Sequence, residues 1–263
     1  MDETTQKLTE SERAKYFSVK HAFGLFGLYF GLQMAVGIGI GMILGVYWGI
    51  RHFQDKAAIS PDAIQGFIKP FEPVMALLGM ILSLVVAFIY ARKWSAGFWK
   101  SSDGVGWALP LNQHSFARAA IVGAVCGLLV MALTSYFPMS TPIEQTPLGT
   151  FVNNGFVGFV IFAILALVLA PIGEEIIFRG FMLGAMRQRW GIAVSVLVSS
   201  LIFGAIHLPQ TFTYWPAVLA TCALGFVCAI IRVQTESILP PMLTHAVYNI
   251  FPVLGALKIV LEK

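Results

Sequence analysis

Apolar stretches of about 20 residues recur along this chain, and each is long enough to cross the hydrocarbon core of a bilayer. Only 11% of the 263 residues are charged and 57% are hydrophobic. A soluble domain carries about twice that charge fraction to cover its surface. The sequence therefore predicts an all-α, polytopic membrane protein whose spans use up most of the chain. Seven spans are expected: near 22–50, 71–91 and 116–137, a fourth that begins near Phe151 and runs through GEEIIFRGFML, and then 191–207, 216–232 and 240–257. They form one membrane domain, with no room for a separate soluble one.

The start, MDETTQKLTESERAKYFSVK, is polar and of mixed charge. It lacks the apolar core and small-residue cleavage site of a signal peptide and reads as a cytoplasmic tail. AAISPDAIQGFIKP reads as a short interfacial segment between the first two spans. In the first span Gly37, Gly41 and Gly45 share a helix face, which predicts close packing against a neighbouring membrane helix. Cys126, Cys222 and Cys228 all lie in apolar stretches, form no CxxC pair and read as small buried hydrophobes.

The net charge of +4 is scattered through loops, which speaks for membrane topology and against a nucleic-acid partner. With the N-terminus inside, ten cationic residues fall on the inner side: Lys7, Arg13, Lys15, Lys20, Arg92, Lys93, Lys100, Arg187, Arg189 and Arg232. Five fall outside: Arg51, Lys56, Lys69, Lys258 and Lys263. The excess predicts an inside N-terminus and, with seven spans, an outside C-terminus. Arg118 lies near the inner end of its span and can reach the interface.

Ionisable groups at membrane depth are costly to insert, so they mark function by default. Three stretches hold them. In GEEIIFRG, Glu175 and Arg179 are four residues apart and face each other on a helix, as a structural pair. Glu174 points about 100° away, toward a polar cavity. Pro171 and Gly173 just before it should loosen the helix. In FGAIH, Phe203 and His207 share a face, as do His245 and Asn249 in HAVYN.

The fourth and fifth spans read as a hairpin turning near Trp190 and Gly191. Glu174 lies 16 residues before Trp190 and His207 lies 17 after it, so each is about 25 Å from the turn. The two should share a depth. His245 and Asn249 reach that level only if the hairpin tip projects beyond the inner interface and 208–215 is partly re-entrant. Together the groups are parts for hydrolysis. A carboxylate and an imidazole can deprotonate water, and an imidazole and an amide can stabilise an oxyanion. No Ser or Cys in these stretches has a triad setting. Each stretch alone reads equally as a salt bridge, a packing histidine or an interhelical hydrogen bond.

EEIIFRG, FGAIH and HAVYN, in this order, resemble the EExxxR, FxxxH and HxxxN motifs of the CPBP (Abi) family of intramembrane proteases, which includes CAAX prenyl and bacteriocin-processing enzymes. The resemblance covers roughly 150–257. It divides the chain into a tail with three spans (1–150) and a four-span catalytic core (151–263). It implies a helical bundle around an intramembrane cavity open toward lipid, in a bacterial cell membrane. It further implies that Glu174 and His207 activate a water, that His245 and Asn249 stabilise the oxyanion, and that Glu175, Arg179 and Phe203 support them. Its eukaryotic CAAX member has eight spans against the seven read here.

The family is often labelled metalloprotease. The chain has no HExxH, and Glu174, His207 and His245 would be an unusual zinc set, so a metal-free glutamate-activated water is the expectation and zinc the alternative. The implied substrate is a membrane-associated protein or peptide, prenylated or not. A scaffold or bacteriocin-immunity protein without proteolysis is the second reading. A proton-relay transporter is a third, weakened by the lack of inverted repeats.

Overall fold

The computed structural model describes residues 18–55, 60–95, 97–137, 139, 141–211 and 214–263. Most of the expected cytoplasmic tail, residues 1–17, lies outside them. Regular structure among the described residues is helical. The main helices are α1 (Val19–Arg51), α2 (Pro61–Ile68), α3 (Glu72–Trp94), α4 (His114–Tyr136), α5 (Gly155–Ile164), α6 (Ala170–Glu175), α7 (Leu183–Ile206), α8 (Trp215–Thr235) and α9 (Leu239–Leu261).

Six helical segments are long and apolar enough to cross a membrane. One of them, Gly155–Ile206, runs for 52 residues. Straight, it would extend about 78 Å, more than twice the hydrocarbon thickness. It is not straight. Gly191 breaks it at φ 76°, ψ 172°, a conformation open to glycine. Beyond the break the second limb runs back beside the first, because Phe203 packs edge-on against Phe178 with ring centroids 5.2 Å apart. The expected hairpin is therefore present, within a segment that counts as one of six candidate spans against the seven expected.

The first limb is not uniform. It passes through two stretches of wide π-helical winding, Leu165–Leu169 and Ile176–Met182, on either side of α6. Pro171, which has no N–H to donate, opens the helix between them.

The core lies where this limb meets α1, α7, α8 and α9. Ile176, Ile177, Phe178, Phe181 and Met182 are fully buried. Elsewhere large apolar side chains such as Met34, Ile43, Ile89 and Leu129 are exposed, as lipid-facing residues of a membrane bundle should be. The short α2 confirms a separate segment after the first span. Ser60 caps its N-terminus, accepting from Ala63 N at 3.3 Å. Its Phe67 lies against Trp48, ring centroids 4.6 Å apart.

The expected close packing through Gly37, Gly41 and Gly45 is not what the fold uses. A side chain at Gly37 would meet nothing within 4 Å, and those at Gly41 and Gly45 only the tips of Met75 and Ile64 at 3.7 Å. The tight approach lies on α4 instead. A Cβ at Gly127 would collide with the Phe251 ring, and one at Gly123 would press on the Thr244 carbonyl. The Thr244 hydroxyl also donates to Ala119 O at 3.1 Å. This contact fixes α9 beside His245.

One end of the bundle gathers the basic residues. Arg187 donates to Ser102 O and pairs with Asp103 Oδ1, both at 3.2 Å. Arg232 donates to Ser102 O and Gly104 O at 2.8 and 3.0 Å. Arg92 lies over Trp99. The loop between α3 and α4 is thus clamped by the hairpin tip and by the end of α8.

Candidate active site

The three polar stretches meet. Arg179 Nη1 donates to Glu175 Oε1 at 2.9 Å, and both side chains are fully buried. The same Glu175 oxygen lies 3.1 Å from His245 Nδ1, across 70 residues of chain. On the other side of that ring, His245 Nε2 lies 3.9 Å from Glu174 Oε2. His245 is therefore held between the two glutamates. A carboxylate beside Arg179 accepts, so Nδ1 donates and Nε2 faces Glu174.

Arg179 is fixed on three sides. Nη2 donates to Gly225 O at 2.7 Å, and the guanidinium lies 4.5 Å from the Phe203 ring centroid, a cation–π contact. Phe203 in turn touches Phe178, His207 and His245, with centroids 5.2, 4.9 and 5.7 Å away. It is the hub on which the motifs assemble.

His207 sits at the end of α7, its Nδ1 2.8 Å from Phe203 O. A carbonyl can only accept, so Nδ1 carries the proton and Nε2 of the neutral ring offers a lone pair. The contact of Phe178 with Phe203 sets the hairpin register. Glu174 and His207 each lie four residues further from Gly191 along the chain than this ring pair.

Asn249 is placed differently from its neighbour. Its Nδ2 donates to Ala166 O at 2.7 Å. Ala166 lies five residues before Pro171, and in π winding its carbonyl would look to the missing Pro171 N–H. Asn249 supplies the donor that proline lacks. Asn249→Leu is expected to cost about 1–3 kcal/mol by orphaning that carbonyl, read as a lower melting temperature in one fixed detergent. Adding Pro171→Ala should restore part of the loss by returning an N–H. No recovery in the double variant would refute this pairing.

Residues 156–251 match the family model described as "Rce1-like: Type II CAAX prenyl endopeptidase Rce1-like". The match spans all three motifs. Over this segment the chain is similar to the CPBP (Abi) family. The six long apolar helices make it an integral, multi-pass membrane protein, and the matched segment supports, in general terms, an intramembrane protease of the CAAX type acting on a peptide. Two curated relatives are similar to this chain. One is "Putative membrane peptidase YdiL" of Bacillus subtilis (strain 168), 33% identical over 36% of this chain and 37% of that protein. The other is "Uncharacterized 24.3 kDa protein" of Escherichia coli, 22% identical over 76% of this chain and 86% of that one. No solved structure matches.

Among the described residues no three His, Cys, Asp or Glu side chains converge as a ligand set, and the Nδ1 of His245 is committed to Glu175. Cys126, Cys222 and Cys228 are unbridged. Ser195 and Ser200 donate to the carbonyls of Gly191 and Val196, both at 2.7 Å. Neither of these buried hydroxyls is poised as a nucleophile. One nearby residue escaped the sequence reading. Tyr29 of α1 is fully buried against Gly173, directly before Glu174. Its only signal was a phenol in the middle of an apolar span.

Proposed function

We propose that this protein hydrolyses a peptide bond of a membrane-associated protein or peptide by direct attack of water, without a metal and without an acyl-enzyme. The observation that carries this reading is His245 held between Glu175 and Glu174 inside an apolar bundle. Glu174 and the free Nε2 of His207 take the proton from a water. The resulting hydroxide adds to the scissile carbonyl carbon. The proton taken up by Glu174 is shared with Nε2 of His245, whose ring Glu175 orients, and from there it bonds the oxyanion. Asn249 helps with its second amide proton while the first stays on Ala166 O. Collapse breaks the C–N bond, and the proton taken from water passes to the leaving amine.

A cavity of about 220 Å³ lies between α4, α8 and α9, walled by Leu129, Leu133, Leu219 and Tyr248. Leu129 and Leu219 are exposed to the lipid side. Its apolar walls suit lateral approach of a membrane-embedded peptide. The basic end of the bundle faces the cytoplasm in this reading, by the excess of Lys and Arg.

Purified protein in liposomes, mixed with a membrane-peptide library, tests the proposal. New peptide termini read by mass spectrometry should appear with the wild-type protein and be absent with Glu174→Gln. Identical termini from both proteins would overturn it.

A further inference from the structure

Helix α1 buries only three side chains, Ala22, Leu25 and Tyr29. Their spacing puts them on one face, and that face packs against the first limb of the hairpin, Phe26 meeting Phe178 edge-on. Tyr29 is fully buried. A phenol at membrane depth needs a partner for its O–H. The hydrogen bond it makes runs to Met80 Sδ at 2.7 Å. A thioether is a weak acceptor and gives little reason for tyrosine over phenylalanine.

The hydroxyl lies at a telling place. A Cβ added to Gly173 would collide with Tyr29 Oη and stand 2.8 Å from its Cζ. The phenol thus fills the space where any other side chain at 173 would begin. The next residue is Glu174, whose Oε2 is buried and has no hydrogen-bond partner among the described residues. An under-used donor and an unpaired acceptor sit one residue apart in a medium without water.

We infer that Tyr29 is a positioning residue for Glu174, its O–H holding the carboxylate from the Gly173 side. This rests on the reading of Glu174 as the base. It brings α1, which lies outside the segment that matches the family, into the active site. It also explains why residue 173 is glycine. Were Tyr29 packing alone, phenylalanine would serve as well.

Tyr29→Phe keeps the ring and deletes the hydroxyl. With the best-cleaved peptide of the liposome assay, kcat should fall about 10- to 100-fold, the size of a lost hydrogen bond to a charged group. KM should stay within about twofold, since the substrate is not touched. Infrared difference spectra give a second readout that needs no proteolysis. The carboxyl band present in wild type and lost in Glu174→Gln belongs to Glu174, and in Tyr29→Phe it should shift. Met80→Leu removes the thioether and should leave both kcat and the band in place. The inference is overturned by an unmoved band with kcat within about twofold, or by Met80→Leu reproducing the Tyr29→Phe effects. If the wild-type protein cleaves no peptide, the hydrolytic reading fails, and the band still decides the contact.

Discussion

Arg179→Met is expected to lower stability by about 3–5 kcal/mol, the cost of stranding a buried charge, and to abolish activity with it. Arg179 is wholly buried, and so is its partner Glu175. Removing the guanidinium leaves the Glu175 carboxylate facing only His245, and it frees the Gly225 carbonyl and the Phe203 ring face as well. Thermal unfolding in a single detergent reads the loss. Two controls separate this cause from a general effect of removing arginine. Arg187→Met breaks a pair whose Asp103 side chain is 49% exposed and should change stability by under about 1 kcal/mol. Glu175→Gln combined with Arg179→Met removes both charges and should recover part of the stability. Equal losses from Arg187→Met and Arg179→Met would show that the buried cluster is not the weak point.

The fold class and the hairpin were legible because both follow from lengths. Apolar runs had to be bilayer-long, and Glu174 and His207 had to be level if the chain turned at Gly191. The contact of Phe178 with Phe203 supplies that register. Helical spacing also foretold the pairing of Glu175 with Arg179. It could not foretell a third partner 70 residues away, since periodicity describes one helix at a time.

The glycines show the same limit. A repeat such as Gly37, Gly41 and Gly45 says that a helix can be approached closely, not that another helix is there. Gly123 and Gly127 have the same spacing on α4, and there the neighbour exists. The π windings were out of reach as well. Pro171 and Gly173 signal a disturbed helix, but the hydrogen-bond register chosen around them depends on Asn249 reaching Ala166 from another helix.

The two adjacent glutamates then have different tasks, and kinetics should tell them apart. Glu174→Gln is expected to lower kcat by about 10²–10⁴-fold, the contribution of a positioned general base. Among the described residues its carboxylate makes no ion pair shorter than the 3.9 Å approach to His245, so folding should be little affected. Glu174→Asp keeps the charge but draws it back by one methylene, so it should retain part of the activity. Glu175→Gln acts through another residue. The amide keeps an acceptor for His245 Nδ1 but no longer neutralises Arg179, which stays buried and charged. Both stability and kcat should fall, with KM nearly unchanged, because a neutral amide is a weaker acceptor than a carboxylate and holds the His245 ring less firmly. Adding Arg179→Met should return stability to Glu175→Gln without returning kcat. Recovery of both would make Glu175 purely structural. A Glu174→Gln protein as active as wild type would overturn the proposed mechanism.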